Sequence, residues 1–258
     1  MASERTVLIT GAGTGVGAAT ALQLARRGYA VLVNYAHSAD GAERTAEACR
    51  AAGADALVMR GDVARDEDCR ALAEAAMARW GRIDALVNNA GVSVFGEAAA
   101  WDQLGPEVFQ HILGINTVGV FQMVRACVEP LKAARGCIVN VSSVAGALGV
   151  GSSIPYIASK GAVNAMTLHL ARTLAPAVRV NAVCPGLITS DWFVKGVGAE
   201  KAEAGRKAYE AGVPLQNACT PEDVAEAITW LVDGARTTTG ELLMLDSGMH
   251  LAGVGRRG

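Results

Sequence analysis

The sequence predicts an α/β fold in which helices cover both faces of a doubly wound, parallel, seven-stranded sheet. Short apolar runs alternate with Ala-rich amphipathic stretches along the whole chain, and the connections between them are a few residues long. This alternation is typical of βαβ units. The strand segments are continuously apolar, as expected of a sheet buried on both faces. No linker, repeat or low-complexity tract interrupts the 258 residues, so we expect a single domain over 1–258.

The predicted strands are short segments rich in β-branched and aliphatic residues. Several run into glycine or asparagine, and Pro185 breaks the sixth. The strands are predicted within residues 6–10, 30–35, 54–63, 82–91, 136–143, 177–186 and 240–248.

The predicted helices are recognised by amphipathic spacing together with start and stop residues. Gly28 and Gly53 close the first two, and Pro106 opens the fourth at its first position. Thr220 and Asp223 have capping-box spacing at the last helix. The helices are predicted at 16–28, 40–53, 66–81, from 106 through 134 with a bend or end at Pro130, at about 156–175, and at 219–234.

A long connection separates Gly186 from Pro214 and holds one weakly helical segment, 199–212. Connections of this length in a compact α/β domain are usually functional. We therefore expect a substrate lid at about 187–213.

The overall charge and composition exclude several classes of protein. The net charge is −2 and the pI is near 6.1, so nucleic acid is not an expected partner. The apolar runs are shorter than the ~20 residues of a membrane span, and the N-terminus does not resemble a secretion signal, so we expect a soluble cytoplasmic protein. The six cysteines and four histidines are scattered, which predicts reduced thiols and no metal site.

A glycine-rich segment, TGAGTGVG, lies between the first predicted strand and the first predicted helix. Gly11 allows a sharp turn, Gly15 lets the backbone approach a pyrophosphate, and Gly17 lets the helix pack on the strands. The helix N-terminus offers free N–H groups to phosphate. The spacing is T-G-x-x-x-G-x-G and differs from the general dinucleotide motif G-x-G-x-x-G.

This spacing and further fragments resemble the short-chain dehydrogenase/reductase family, in its compact single-domain branch. The resemblance implies a Rossmann-type fold and an NAD(P)-dependent oxidoreductase that moves a hydride between nicotinamide and a carbonyl or secondary alcohol. It also implies a homotetramer that pairs helices 116–134 and 156–175, and 248–254 are a candidate second interface. The matching fragments, in the order of the family, are Thr10–Gly17, Asp62, Asn88–Gly91, Asn116, Ser143, Tyr156, Lys160 and Pro185–Gly186.

The resemblance implies a catalytic tetrad of Asn116, Ser143, Tyr156 and Lys160. Tyr156 and Lys160 are one helical turn apart and share a helix face. A phenol becomes a better acid/base when its pKa falls from about 10 toward the working pH, and a neighbouring ammonium favours the phenolate. By resemblance, Ser143 binds the substrate oxygen, Lys160 also binds the nicotinamide ribose, and Asn116 holds a water that relays protons to Lys160.

The cofactor site extends, by resemblance, over loops that follow several strands. Asn89, Ala90 and Gly91 cover the adenine ribose, and Asp62 with Val63 binds the adenine. The remaining expected cofactor residues are Gly11, Thr14, Gly15, Val16, Gly17, Asn34, Tyr35, His37, Ser38, Tyr156, Lys160, Pro185, Gly186, Ile188 and Thr189.

The end of the second strand favours NADP over NAD, although NAD stays possible. An acidic residue there would bind a ribose 2′-hydroxyl, but the position holds Tyr35 and no carboxylate appears before Asp40. Asn34, His37 and Ser38 instead offer hydrogen-bond donors. Many NADP-dependent relatives carry an arginine near the positions of Thr14 or Ala36, and this chain has none there.

The sequence defines the substrate less closely than it defines the reaction. Trp192 and Phe193 indicate an apolar or ring-shaped substrate, or else lid packing or a subunit contact. The expected substrate-facing residues are Ser143, Val144, Ala145, Gly186, Leu187, Trp192 and Phe193.

Other functions stay open at this point. A 3-oxoacyl-carrier-protein reductase would have basic side chains near the site entrance, where the chain offers Lys132 and Arg135. A catalytically silent NADP-binding redox regulator would tend to lose the tyrosine or lysine. An epimerase or dehydratase shares the Tyr-Lys pair but usually has a longer chain.

Overall fold

The computed structural model describes residues 5–95 and 101–251 and contains one sheet of seven parallel strands. Their order across the sheet is β3-β2-β1-β4-β5-β6-β7, which confirms the predicted doubly wound α/β fold. The strands are β1 (Arg5–Ile9), β2 (Tyr29–Tyr35), β3 (Ala56–Arg60), β4 (Ala85–Asn88), β5 (Cys137–Val141), β6 (Arg179–Pro185) and β7 (Leu242–Leu245).

Helices connect the strands and pack on both sheet faces. A π-helical turn, Gly114–Val118, joins two of them into one continuous helical run, and 3₁₀ turns occur at Trp101–Gln103 and Met249–Leu251. The helices are α1 (Gly15–Ala25), α2 (Ala39–Ala51), α3 (Asp66–Trp80), α4 (Pro106–Leu113), α5 (Gly119–Ala134), α6 (Val144–Leu148), α7 (Ile154–Leu174), α8 (Asp191–Val197), α9 (Ala199–Gly212) and α10 (Pro221–Asp233).

Two apolar layers hold the sheet between the helices. One layer packs β1 and β2 against α1, α2 and α10 through residues such as Leu24, Ala46 and Ile228. The other packs the opposite face against α3, α5 and α7 through residues such as Leu72 and Met123. Because both faces are covered, most strand residues are apolar, and polar residues such as Asn34, Asn88 and Asn140 lie near the carboxyl ends.

The sheet order places a crevice beside the first glycine loop. The chain leaves β1 toward one edge of the sheet and leaves β4 toward the other, so the loops after these two adjacent strands diverge. Ligands of open α/β sheets bind in such a crevice, at the carboxyl ends of the strands. The loop 10–15 and the segment 89–91 therefore meet at this edge.

The helix predicted through 134 continues past Pro130 to Ala134, so the alternative that Pro130 ends it is wrong. One further helical prediction needed correction. The connection after Gly186 holds two helices, α8 and α9, where one was predicted. The sequence of α8, DWFVKGV, contains glycine and aromatic residues that lower its helix propensity, and its contact with Phe95 compensates.

One helical run, Pro106–Ala134, is long and apolar enough by length and composition to cross a membrane. Core helices of soluble proteins meet the same criterion. Here the run packs on α3 and α7, and its Arg125 forms an ion pair with Asp66 on α3. This helical run is thus one of the helices that pack on the sheet of the α/β fold.

Substituting Thr220 by Ala is expected to lower the free energy of unfolding by about 1 kcal/mol, because the capping box of α10 is lost. The Thr220 hydroxyl accepts from the Asp223 N–H at 3.2 Å, and the Asp223 carboxylate accepts from the Thr220 N–H at 2.8 Å. Thermal unfolding of T220A and of the control T220S measures the effect. Equal stability of the two variants would contradict it.

Candidate active site

The glycine loop between β1 and α1 has the backbone that its sequence predicted. Gly11 and Gly15 have φ of +63° and +54°, in the left-handed region that favours glycine. A β-carbon on Gly17 would lie 2.6 Å from the Gly11 carbonyl oxygen, so only glycine lets α1 start this close to the loop. A β-carbon on Gly15 would meet nothing within 4 Å, so the N-terminus of α1 faces open space.

Thr10 joins this loop to the segment after β4. Its hydroxyl accepts from the N–H groups of Asn89 and Ala90, each at 3.0 Å. The Asn89 side chain donates back to the carbonyls of Thr10 and Gly11, at 2.9 and 3.0 Å. These reciprocal bonds fix the two loops as walls of the crevice.

Asn34 does not offer the donor that the sequence suggested. Its side chain is 1% exposed and donates to the Gly61 carbonyl at 2.9 Å, and its Oδ1 accepts from the Gly11 N–H at 3.2 Å. Asn34 thus holds the glycine loop against β3 and is unavailable to a bound phosphate. The sequence could not reveal this because both partners come from other loops.

The other expected adenosine-site residues lie around the crevice rim. Thr14, His37 and Ser38 are exposed, and Tyr35 is partly buried on the α1 face. Val63 is buried, and its carbonyl accepts from Gln122 at 2.7 Å. Val16, half-buried, packs against the same layer as Tyr35.

Asp62 is used partly by its own loop. Its carboxylate accepts from the Ala64 N–H, and its N–H donates to Asp68. Asp62 thus has a structural role within its own turn, and the residue as a whole is half-buried.

Asn116 lies in the π-helical turn and is 1% exposed. Its amide forms reciprocal bonds with the backbone of Val92, both 2.9 Å long, and donates to the Ser159 hydroxyl at 3.0 Å. The side chain is therefore fully engaged. A water bound at this position would have to use the backbone, and a π-turn is a place where backbone carbonyls are displaced from regular helical bonding.

Ser143 and Tyr156 face each other across the start of α6. Ser143 caps that helix, since its Oγ accepts from the Ala145 N–H at 3.1 Å, and it donates to the Pro185 carbonyl at 3.4 Å. Val144 and Ala145 follow it and are buried. The side-chain hydrogen bond with Ser143 lowers the pKa of Tyr156, but burial raises it more, so the net direction is upward.

Lys160 is 5% exposed and reaches toward the crevice from α7. Its Nζ donates to the Val141 carbonyl at 2.7 Å and lies 5.6 Å from the centroid of the Tyr156 ring. Gly91 faces the same point, because a β-carbon there would be 3.6 Å from Lys160 Nζ and 3.5 Å from Asn116 Oδ1. The structure therefore brings the four expected catalytic residues together beside Gly91.

The expected lowering of the Tyr156 pKa by Lys160 is not present in the protein alone. Burial lowers the pKa of Lys160 itself to about 8, against an ordinary 10.5. Its ammonium is directed at the Val141 carbonyl and not at the phenol oxygen. A low Tyr156 pKa therefore requires charge that this chain does not supply by itself.

Lys160 is expected to make stability depend on pH. The folded chain releases this proton near pH 8 and the unfolded chain near 10.5, so the unfolded state binds more protons between these values. The Lys160 contribution to the free energy of unfolding therefore rises with pH across that window, by up to about 3 kcal/mol.

The measurement is urea unfolding of the wild type and K160M at several pH values between 7 and 11. Buried thiols such as Cys69, whose pKa is raised to about 12, titrate in the opposite sense in both proteins, so the difference isolates Lys160. A pH-independent difference would contradict the prediction.

The chain after β6 forms the far wall of the crevice. Gly186 donates its N–H to the Leu245 carbonyl at 2.9 Å, and Ile188 forms a bridge with Cys219. Thr189 donates its N–H to the Cys219 carbonyl at 2.8 Å. Main-chain bonds to Leu245 in β7 and to Cys219 before α10 hold this segment, residues 185–189, at the carboxyl edge of the sheet.

Aromatic side chains of the lid lie above Tyr156. Trp192 is 45% exposed, and its ring centroid is 6.4 Å from that of Tyr156 and 4.8 Å from that of Phe95. Phe193 is 6.1 Å from Phe95 and lines a cavity of about 320 Å³ between α8, α9 and residues 187–190. Both residues therefore pack on Phe95 within the lid, and Trp192 also lies near Tyr156.

Sequence reasoning missed several residues that shape the site. Tyr209 on α9 donates to the Asp246 carbonyl at 2.7 Å, and a β-carbon on Gly186 would collide with its hydroxyl. Ser159 orders Asn116, and Phe95 supports the lid. Ser159 lies next to Lys160 and three positions after Tyr156, so the sequence carried a signal for it. Tyr209 and Phe95 reach the site through contacts between distant parts of the chain, which the sequence does not reveal.

The comparisons with known proteins agree with this geometry. A family model described as enoyl-(acyl carrier protein) reductase matches residues 11–250. A solved structure described as a short-chain dehydrogenase/reductase from Burkholderia xenovorans is 37% identical, covers 97% of this chain and 100% of its own, and superposes with a TM-score of 0.89. This protein belongs to the short-chain dehydrogenase/reductase family.

Among curated family members, this chain is 44% identical to a Streptomyces violaceoruber protein named as ketoacyl reductase 2 of granaticin polyketide synthase, over 95% of both chains. It is 33% identical to the 3-oxoacyl-[acyl-carrier-protein] reductase of Staphylococcus aureus, over 97% of this chain and 100% of that protein. It is 36% identical to a 3β-hydroxysteroid dehydrogenase of Eggerthella lenta, over 96% of this chain and 94% of that protein. The protein is thus an oxidoreductase of a family that acts on carbonyl or alcohol groups and uses nicotinamide cofactors.

The chain departs from the usual short-chain dehydrogenase/reductase pattern at Asp246–Gly248, where it has DSG in place of DGG. Ser247 takes a left-handed φ of +55°, which a glycine would adopt without strain. Its hydroxyl bonds to Asn217 at 2.7 Å, which helps to hold this conformation. The candidate second interface, 248–254, extends beyond the described residues.

Proposed function

We propose that this protein is an NADP(H)-preferring oxidoreductase that transfers a hydride between nicotinamide and a carbonyl or secondary alcohol, with Tyr156 as general acid/base. The observation that carries the proposal is the convergence of Tyr156, Ser143 and Lys160 at the crevice beside Gly91. The open space at Gly15, in front of α1, leaves room for the pyrophosphate of a dinucleotide. When bound, the nicotinamide supplies or accepts the hydride.

The protein residues have separate tasks in this mechanism. Ser143 donates a hydrogen bond to the substrate oxygen in place of its bond with Pro185, and Tyr156 gives that oxygen its proton in the reducing direction. Lys160 replaces the proton on Tyr156 after turnover and binds a ribose hydroxyl. The Asn116 turn keeps Val92 and Ser159 in place around the lysine and presents backbone carbonyl groups to a relay water.

The cofactor residues bind by loop backbone and by exposed side chains. Gly11–Gly17 with the N-terminus of α1 hold the pyrophosphate. Asn89, Ala90 and Gly91 cover the adenine ribose, and Asp62 with Val63 borders the adenine. Residues 185–189 border the nicotinamide. The preference for NADP rests on the absence of a carboxylate at Tyr35 and on the exposed donors His37 and Ser38.

The substrate in this proposal is an apolar or ring-shaped carbonyl compound. Trp192 lies next to Tyr156 and can cover a flat substrate, and Leu187 and Phe193 line an adjoining cavity within the lid. Two relatives named after ring alcohols, the hydroxysteroid dehydrogenase and a cis-4-hydroxycyclohexanecarboxylate dehydrogenase of Sinomonas cyclohexanicum at 38% identity over 95% of this chain and 96% of that protein, support this choice.

A 3-oxoacyl-carrier-protein reductase is the second candidate, because two curated relatives carry ketoacyl or oxoacyl reductase names. One structural feature speaks against it. Lys132 and Arg135 precede β5 and so lie at the amino edge of the sheet, opposite the crevice of the same chain, and Lys132 is paired with Glu129 at 2.8 Å. These residues do not flank the entrance within one chain.

The proposal includes the organisation of the chain. One domain over 1–258 carries both cofactor and substrate sites, with 187–213 as lid, in a soluble cytoplasmic homotetramer. The exposed apolar residues Val118, Phe121 and Leu168 on the two long helices support the tetramer. A monomeric mass by light scattering would contradict that part.

To test the proposal, the oxidation of NADPH and, in parallel, of NADH is measured with cyclic ketones, 3-oxoacyl thioesters or aldoses as the substrate. We expect turnover of cyclic ketones and a lower KM for NADPH. Preferred turnover of acyl thioesters would support the second candidate, and a lower KM for NADH would overturn the cofactor preference. Binding of NADPH without turnover of any carbonyl would support the redox regulator, and isomerisation without net cofactor oxidation would support an epimerase.

A further inference from the structure

The chain has no arginine at Thr14 or Ala36, where the family resemblance would place one, but Arg60 lies at the end of β3, the strand next to β2. Arg60 is the last residue of β3, and it is the register partner of Tyr35, the last residue of β2. The N–H of Gly61, next along the chain, donates to the Tyr35 carbonyl at 2.9 Å. Adjacent strands are about 4.8 Å apart. Arg60 and Tyr35 are therefore direct neighbours at the carboxyl edge.

The two side chains project from the same face of the sheet. Val33 and Tyr35 of β2 pack against the layer formed with α1 and α2, and so does Val58 of β3. Because side chains alternate along a strand, Arg60 points to the same side as Val58 and Tyr35. The glycine loop lies on this side too, since a β-carbon on Gly13 would be 3.0 Å from the Ser38 carbonyl.

The surroundings of Arg60 leave its guanidinium available. Arg60 is exposed, and within residues 5–95 and 101–251 no carboxylate lies within ion-pair distance of it. Of the nearby acidic residues, Asp62 accepts from the Ala64 N–H, and Asp40 belongs to the first turn of α2. A guanidinium beside exposed donors such as Ser38 is suited to bidentate binding of a phosphate.

We propose that Arg60 is the cation that recognises the ribose 2′-phosphate of NADP(H) in this protein, an inference that rests on the proposed dinucleotide function. The position in sequence is remote from Thr14 and Ala36, but the register of β2 and β3 brings Arg60 to the same corner of the crevice. The preference for NADP(H) over NAD(H) then comes from a residue of β3 and not from the loop after β2.

The test is calorimetric binding of adenosine 2′,5′-bisphosphate and of 5′-AMP to the wild type, R60Q, R60K and the control R172Q, whose exposed arginine lies on the last turn of α7. We expect R60Q to weaken bisphosphate binding by about 10–100-fold, as for loss of a charged hydrogen bond, with AMP binding unchanged. R60K should retain part of the affinity, and R172Q should match the wild type.

Equal effects of R60Q on both nucleotides, or no effect on the bisphosphate, would overturn the role of Arg60. If R60Q is silent while the wild type still binds NADPH and reduces a ketone, the role of Arg60 fails alone. If the wild type binds neither NADPH nor NADH, the proposed function fails and the inference fails with it.

Discussion

Replacing Tyr156 by Phe is expected to lower kcat by about 10²–10⁴-fold, the usual contribution of a positioned general acid/base. Phenylalanine keeps the ring that packs near Trp192 and Lys160 but removes the phenol hydroxyl that faces Ser143. Cofactor affinity should change little, because the phenol acts on the substrate oxygen. The measurement is steady-state reduction of the best ketone together with NADPH binding by fluorescence.

The matched control is Tyr29→Phe. The Tyr29 hydroxyl donates to Asp233 at 2.6 Å at the start of β2, at the sheet edge opposite the crevice. This variant should lose about 1.5–3 kcal/mol of stability, as for a hydrogen bond to a charged group, and keep its kcat. A Y156F enzyme as active as Y29F would show that Tyr156 is not the acid.

Substituting Gly146 by Ala is expected to destabilise the protein by about 1–3 kcal/mol and to lower kcat as well. A β-carbon on Gly146 would overlap the backbone carbonyl of Lys160 and the nitrogen of Gly161, which cannot move without shifting α6 from α7. Because Ser143 is the N-cap of α6, the same shift would separate Ser143 from Tyr156. Thermal unfolding and kcat are measured on one preparation.

Gly161→Ala is the control on the facing helix. The nearest atom to a β-carbon there is the Gly146 carbonyl oxygen at 3.8 Å, an ordinary contact. Alanine within a helix should raise stability by about 0.5–1 kcal/mol. If G146A and G161A unfold at the same temperature, the close approach of the two helices is not what requires glycine.

The sequence predicted the fold because its patterns are local. Each strand combines an apolar run with a nearby turn residue, and the ends of α9 were predicted to the residue as 199–212. The start of α10 follows from Thr220 and Asp223 three positions apart. The helix α8 was missed because it is only seven residues long, and its aromatic contact with Phe95 joins segments distant in the chain.

Spacing and the family resemblance predicted which residues meet at the crevice, but they did not predict the electrostatics of those residues. Tyr156 and Lys160 share a helix face, which the four-residue spacing implies. Their pKa directions depend on burial, which brings Lys160 to about 8 and raises Tyr156. Burial also decides the role of Asn34, because its side chain bonds to Gly61 and Gly11 and does not reach the crevice.

The most direct test of the account is the fate of the hydride. NADPH deuterated at the transferred position of C4 is incubated with a cyclic ketone and the wild-type protein, and the alcohol is analysed by mass spectrometry. We predict one deuterium on the carbinol carbon for each nicotinamide oxidised, and loss of the product with Y156F. Oxidation of the cofactor with no deuterium in the alcohol, or full deuterium transfer by Y156F, would contradict the account.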